Sequence, residues 1–164
     1  MICDKLYECC LDEKHICAYK KKCVVYQDSR TNAACEEKGK RYNLVNDKRF
    51  TITLFHVDGG MIFGGQDVKK CDFLYIVDDL EKPTAIFVEL KGKDIYQAIR
   101  QVKETIDRYG TTLQRRIYAR IVCNAVPRLY NDPSISKLRK ELMKRYNGNL
   151  NISEKNKDEK YSEL

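Results

Sequence analysis

One stretch of the chain, residues 71–101, constrains the fold more than any other because its elements and their pairing can be inferred together. Two apolar, β-rich runs, Cys71–Val77 and Thr84–Leu90, flank a six-residue segment of turn-forming residues that ends in Pro83. Asp94 then stands where the N-cap of a helix is expected. The pattern predicts a β-hairpin followed directly by a helix.

The length of the turn sets the register of this hairpin. If Val77 faces Thr84, the numbers of opposed residues sum to 161, so Asp72 faces Glu89. Lys91 lies two residues beyond Glu89, on the same face of the sheet. Two carboxylates in opposed positions have Cβ atoms about 5 Å apart and destabilise the pair. The sequence therefore predicts two acids and one amine at one end of a sheet.

The strand that carries Glu89 is apolar on both faces and becomes charged only at its end. Paired acids at the edge of a core require a cation or a raised pKa. A divalent metal is one solution, because Mg²⁺ prefers oxygen ligands. The alternative is an ion triplet in which Lys91 neutralises Glu89 at a solvated sheet end. The spacing of the residues leaves both interpretations open.

The polar residues at the ends of these elements form a recognisable set. It comprises an acid near the start of the first predicted strand, a Glu-Leu-Lys sequence at the end of the second, and glutamines on the helix: Asp72, Glu89, Leu90, Lys91, Gln97 and Gln101. This set resembles the PD-(D/E)XK nuclease superfamily, which includes restriction enzymes and Holliday junction resolvases, over roughly residues 50–147. The resemblance implies an α/β, restriction-endonuclease-like core with a central mixed sheet flanked by helices, in the order α-β-β-β-α-β.

The resemblance also implies a role for each residue. Asp72 and Glu89 would hold Mg²⁺, or Mn²⁺ in its place, together with the backbone carbonyl of Leu90. Lys91 would orient the attacking water and stabilise the charge that builds on phosphorus. Gln101 would position the nucleophile or the backbone.

The chain departs from the family pattern at two places. The proline that usually precedes the aspartate is absent, and Thr105 stands where RecB-like nucleases have a tyrosine four residues after the glutamine. Gln97 is explained as the capping partner of Asp94, so Gln101 is the better functional candidate. We expect this helix to end at Gly110.

Further acids and a histidine are open candidates. Related nucleases often place a glutamate on a helix before the first core strand, and Glu36 or Glu37, on a short helix predicted over residues 32–41, would match that position. A surface acid pair is the alternative. His56 and Asp58 lie near the end of a predicted strand, where they would either approach a substrate or serve the strand edge.

Length and charge suggest the class of partner. A chain of 164 residues is long enough for one domain with a core, and its formal net charge is +7. A basic domain tends towards nucleic acid, an anionic membrane or acidic partners. Of these, the resemblance implies nucleic acid, and DNA before RNA. No apolar stretch reaches about 18 residues and the N-terminus lacks an export pattern, so we expect no membrane partner and a cytoplasmic location. Cutting both strands of a duplex would take a homodimer.

Six of the eight cysteines fall into two groups. Cys71 and Cys123 fall in predicted strands, where we expect them to pack as small hydrophobic residues. The others that could hold zinc cluster near the N-terminus with a histidine: Cys9, Cys10, His15, Cys17 and Cys23. Their irregular spacing, without a Cys-x-x-Cys pair, does not favour a structural zinc site.

Three segments are expected along the chain. They are a cysteine-rich extension of the same domain (1–31), a nuclease-like core (32–152) and a flexible charged tail (153–164). Within the core, Arg116–Cys123 has the pattern of a strand, and a basic helix begins at Pro133.

The function expected from the resemblance is metal-dependent hydrolysis of phosphodiester bonds. Phosphate contacts would come from the basic last helix, the Arg115-Arg116 pair and the lysine run at residues 20–22. The alternative is a catalytically inactive nucleic-acid-binding or interaction module on the same fold. A small binding domain stabilised by zinc is a third interpretation.

Overall fold

The computed structural model describes residues 23–62, 67–126 and 132–164. Its strands and helices, in chain order, are β1 (Val24–Asp28), β2 (Asn32–Glu37), β3 (Lys40–Val45), β4 (Ile52–His56), β5 (Phe73–Val77), β6 (Thr84–Leu90), α1 (Ile95–Leu113), β7 (Arg116–Cys123), α2 (Pro133–Tyr146), β8 (Leu150–Glu154) and β9 (Asn156–Lys160). A short 3₁₀ helix, Tyr161–Glu163, follows. The lysine run at residues 20–22 and most of the N-terminal cysteines lie outside the described residues.

The strands form two sheets, which confirms the expected mixed α/β class. Six strands pair in the order β1-β4-β5-β6-β7-β8, and three pair in the order β2-β3-β9. In the larger sheet β5 and β6 are antiparallel, whereas β6, β7 and β8 run parallel to one another. The crossover from β6 to β7 is made by α1, as a parallel pair requires.

The larger sheet is covered on both faces. Leu74 and Phe87 belong to a core cluster that also contains the inward stripes of α1 and α2. Tyr75 and Ile86, one position away along each strand, belong to a second cluster with residues of β2, β3 and the 3₁₀ helix. Because successive side chains alternate between faces, every residue of β6 is buried.

Helix α1 begins as predicted but ends later. The Asp94 carboxylate accepts a hydrogen bond from the Gln97 N–H at 2.9 Å, which caps the first turn. The expected end at Gly110 is wrong, because the helix continues to Leu113 and Gln114 takes the left-handed cap conformation. Gly110 instead gives room to Tyr146 of α2, whose hydroxyl lies 2.9 Å from the position of an added Cβ.

The helix predicted over residues 32–41 is wrong, because the structure has the β2–β3 hairpin there. Ala33 and Cys35 are buried while their neighbours in the strand are more exposed, which is the two-residue period of a strand. Lys38 and Gly39, at φ 48° and 74°, form the two-residue turn. The hairpin is favoured over a helix because it covers the second face of the larger sheet.

The flexible tail predicted over 153–164 is also wrong, because the structure orders this segment as the end of β8, β9 and the 3₁₀ helix. Glu159 in β9 pairs with Arg120 at 2.6 Å, and Arg120 is only 2% exposed. A buried guanidinium requires an anionic partner. Tyr161 is buried as well, and its hydroxyl donates to Asp79 at 2.9 Å.

Cys71 and Cys123 are both buried, as predicted. Cys123 ends β7, whereas Cys71 lies two residues before β5 and not within the predicted strand. Cys23 is buried too, while the other four members of the proposed zinc cluster lie outside the described residues. Within the described ranges, none of the helices is long and apolar enough to cross a membrane.

Gly148 gives a test of how closely the last helix approaches the sheet. A Cβ added there would lie 1.8 Å from the backbone oxygen of Ile117, so we expect Gly148→Ala to lower the free energy of unfolding by more than about 2 kcal/mol. Gly92→Ala is the matched control, because no atom lies within 4 Å of its added Cβ. Urea denaturation of both variants measures the difference, and equal stabilities would contradict the close approach.

Candidate functional site

The register predicted for the hairpin is the register observed. Val77 pairs with Thr84 and Phe73 with Val88, so opposed residue numbers sum to 161. Asp72 lies one residue before β5, and its N–H donates to the Val88 carbonyl at 3.2 Å. Its carboxylate Oδ2 accepts a hydrogen bond from the Leu90 N–H at 2.7 Å. Asp72 is thus fixed beside the end of β6. We call this end, where Asp72 and Glu89 lie, the acid end of the sheet.

Glu89 is buried and incompletely satisfied. It is 1% exposed, and its Oε2 has no hydrogen-bond partner among the described residues. Lys91 is a cation beside it, and its Nζ lies 3.9 Å from Oε1. A separation of 3.9 Å is too long for a strong charge-assisted hydrogen bond, so Lys91 compensates Glu89 only in part.

Gln101 connects the amine to the backbone before β5. Its Oε1 accepts a hydrogen bond from Lys91 Nζ at 3.0 Å, and its Nε2 donates to the Lys70 carbonyl at 2.8 Å. Both ends of the amide are therefore used, which fixes the side chain and orients the ammonium group. Of the two glutamines considered in the sequence, the structure connects Gln101 to Lys91, while the Gln97 N–H serves the helix cap.

Thr105 is a residue of this site that sequence analysis treated only as a departure from the family pattern. Its hydroxyl donates to the Gln101 carbonyl at 2.7 Å and accepts from the Cys71 N–H at 2.9 Å. Thr105 is fully buried. It therefore ties the residue before Asp72 to the helix that carries Gln101. The signal in the sequence was a hydroxyl four residues after the glutamine, which places both on one helix face.

Two further carboxylates interact with Asp72. Burial is the main cause that raises the pKa of Asp72 to about 7, and the Glu37 and Asp58 charges add to it. The Leu90 N–H opposes this rise by stabilising the ionised form. Of the open pair of acids, Glu37 is thus the one near the site, while Glu36 pairs with Arg41 at 3.4 Å on the surface.

The pKa of Glu89 rises further than that of Asp72. Burial is again the first cause and the Asp72 charge the second, and together they raise the Glu89 pKa to about 9 against the opposing effect of Lys91. At neutral pH the two acids therefore retain a proton or require a cation.

The remaining candidates from the sequence lie in different parts of the structure. Asp58 forms an ion pair with the buried Lys70 at 3.2 Å, and His56 stacks obliquely on Phe73 at 5.4 Å. The Arg115-Arg116 pair lies at the opposite end of the sheet, since Arg116 pairs with Thr84. Glu89 follows Thr84 by five positions in β6, a distance of about 17 Å.

The described residues suit a divalent metal with few protein ligands. Asp72, Glu89 and the Leu90 carbonyl would supply three oxygen atoms, and the unsatisfied Glu89 Oε2 is one that a cation would stabilise. Mg²⁺ commonly keeps several water ligands, so two carboxylates are an adequate set. Among the described residues no three His, Cys, Asp or Glu side chains are grouped closely enough to enclose a metal.

No protein-family model, curated protein or solved structure matches this chain.

Glu89→Gln tests the cost of the buried acid. A folded-state pKa of about 9 exceeds the unfolded value of about 4.3, so the folded state binds the extra proton between these values and loses stability as pH rises through that window. Glutamine removes this dependence, and in EDTA we expect it to raise the free energy of unfolding by at least about 2 kcal/mol more at pH 8 than at pH 5. Urea denaturation at pH 5 and pH 8 measures the change.

The control for this prediction is Glu104→Gln, which alters an exposed acid of α1. It should leave the pH dependence of unfolding unchanged. A Glu89→Gln protein with the same pH dependence as the unmodified chain would mean that Glu89 is ionised in the folded state.

Thr105→Val tests the connection between α1 and the strand end. Valine has a similar shape but leaves the buried Cys71 N–H without an acceptor, so we expect a loss of about 1–3 kcal/mol in unfolding free energy. Thr105→Ser keeps the hydroxyl and should lose clearly less. Chemical denaturation compares the two variants, and equal losses would show that only packing matters.

Proposed function

We propose that the chain is a metal-dependent nuclease that hydrolyses phosphodiester bonds, DNA before RNA, on a restriction-endonuclease-like core. The observation that carries this proposal is the pair of buried acids at one strand end, Asp72 and Glu89, with an ammonium group held beside them. Lys91 lies 3.9 Å from Glu89 and is oriented by Gln101 at 3.0 Å. Acids with raised pKa values beside a fixed cation are typical of sites with a chemical role.

Asp72, Glu89 and the Leu90 carbonyl would hold Mg²⁺ or Mn²⁺. When bound, such an ion polarises the scissile phosphate and lowers the pKa of a bound water. The hydrogen bond from the Leu90 N–H already holds Asp72 in place, so its carboxylate needs little rearrangement.

Lys91 and Gln101 provide the part of the chemistry that belongs to the chain. An ammonium group has three donors, and Gln101 takes one of them from Lys91. The remaining donors are available to a phosphate oxygen or to the attacking water, and the positive charge stabilises the charge that develops on phosphorus.

The same proposal includes a cellular location and an assembly of two chains. Cys35, Cys71 and Cys123 are buried and form no disulfide, which suits a reducing compartment such as the cytoplasm. A cut through both strands of a duplex would take two copies of the chain.

The deciding experiment incubates the protein with single- and double-stranded DNA and RNA in Mg²⁺, Mn²⁺ or EDTA. We expect metal-dependent cleavage that Glu89→Ala and Lys91→Ala each reduce by at least about 100-fold, since each removes charge that acts on the transition state. Glu81→Ala and Lys82→Ala are the matched controls, because both are exposed in the turn at the opposite end of the hairpin. These controls should cleave normally.

Two outcomes would contradict the proposal. Cleavage that survives both Glu89→Ala and Lys91→Ala would come from another site or another protein. Metal-independent binding of nucleic acid without cleavage of any substrate would instead support the catalytically inactive binding module.

A further inference from the structure

Four turns that are neighbours in space at the acid end of the sheet are joined by backbone hydrogen bonds. The Asn124 N–H after β7 donates to the Gly92 carbonyl after β6 at 3.0 Å. The Lys155 N–H, between β8 and β9, donates to the Cys123 carbonyl at 2.8 Å. The Lys155 carbonyl in turn accepts from the Arg41 N–H at 3.1 Å, next to the β2–β3 turn. The turns after β6, β7, β8 and β2 thus form one continuous surface.

Three of these turns carry an exposed lysine: Lys38, Lys93 and Lys155. Lys38 contacts Glu37 at 2.7 Å, and its pKa is raised by Glu37 first and also by the charges of Asp72 and Asp58. The β2–β3 turn therefore lies within electrostatic range of the acids. In the described ranges, neither Lys93 nor Lys155 forms an ion pair.

Exposed carboxylates on these turns are already engaged in local contacts. Asp94 caps α1, Glu154 accepts from the Val126 N–H at 2.9 Å, and Glu36 pairs with Arg41. Since these carboxylates form no ion pair with Lys93 or Lys155 in the described part of the chain, both ammonium groups can meet an external anion.

Two of the lysines occupy backbone conformations that favour other residues. Lys38 has φ 48° and Lys155 has φ 54°, in the left-handed region that glycine and asparagine adopt at lower cost. Lys38 precedes Gly39 in a two-residue turn whose preferred sequence is Asn-Gly. A local cost of this kind is often associated with a functional site.

We propose that Lys38, Lys93 and Lys155 form a phosphate-binding rim along which a strand of nucleic acid crosses the acid end of the sheet. The identity of this ligand rests on the proposed nuclease function. The rim would take the place of the Arg115-Arg116 pair as the source of phosphate contacts, since that pair lies at the other end of β7.

The left-handed lysines allow a test that does not weaken the fold. The variant Lys38→Asn, Lys93→Gln, Lys155→Gly removes three charges while giving two turns the residues that they prefer. It is made in a Glu89→Gln background, which prevents cleavage during the measurement. Binding of fluorescein-labelled single-stranded and duplex DNA is measured by fluorescence anisotropy over a range of salt concentrations, with the melting temperature measured in parallel.

The slope of log K against log salt is negative, and each lost phosphate contact reduces its magnitude by about 0.7–0.9. We therefore expect the rim variant to bind at least about tenfold more weakly at moderate salt and to lose about two units of slope. Its melting temperature should be equal or higher, because strain at two left-handed residues is relieved.

A matched variant at the opposite end of the sheet controls for net charge. Lys48→Gln, Arg49→Gly, Lys82→Gln also removes three exposed basic residues, and Arg49 has φ 57°, so the same kind of strain is relieved. It should bind DNA within about twofold of the unmodified surface, because its charges lie more than a Debye length from the acid end. Equal losses in the two variants, or none in the rim variant, would overturn the rim.

The test separates this inference from the proposed function. If the parent chain cleaves DNA and the rim variant with Glu89 intact cleaves it equally well at subsaturating substrate, the rim is wrong and the nuclease stands. If the rim variant binds weakly but no form of the chain cleaves in Mg²⁺ or Mn²⁺, the rim stands and the nuclease is wrong.

Discussion

The hydrogen bond from the Leu90 N–H to the Asp72 carboxylate, 2.7 Å long, is the interaction on which the candidate site depends. It fixes an acid that lies outside the strand to the end of the neighbouring strand, beside Glu89. The hairpin register brings the two residues level, and this bond holds the carboxylate in place. Thr105 completes the arrangement by holding the Cys71 N–H to α1, so that the acids, Lys91 and Gln101 belong to one rigid unit.

Burial of β6 on both faces makes these acids costly, but the two cores that bury it also supply the stability that offsets the cost. Helices α1 and α2 cover one face, and the three-stranded sheet covers the other. Exclusion of water from Glu89 raises its pKa and leaves one oxygen unsatisfied. A chain optimised only for stability would place an apolar residue there. The buried acid is thus a local loss of stability that the two cores offset, as is common where a site serves chemistry.

Much of the candidate site could be predicted from the sequence, while the three-stranded sheet beside it could not. Val77 and Thr84 flank a short turn, so strand period and turn length together determine which residues oppose each other. The β2–β3 hairpin at 32–45 and the strand at 156–160 are short, and the local pattern over 32–41 favours a helix while that over 153–164 favours a tail. They become strands because Ala33 and Cys35 cover an apolar sheet face and Glu159 meets the buried Arg120.

By itself the sequence determined the mixed α/β class, the hairpin register and the identity of the acids, amine and glutamine at its end. These follow from interactions between residues close along the chain, where periodicity and turn chemistry act directly. The tertiary structure alone decided that Glu37 and Asp58 lie near Asp72, that Arg115 and Arg116 do not, and that three lysine-bearing turns share the acid end. Such placements depend on how distant segments pack, and packing is decided by the burial of whole faces rather than by any local pattern.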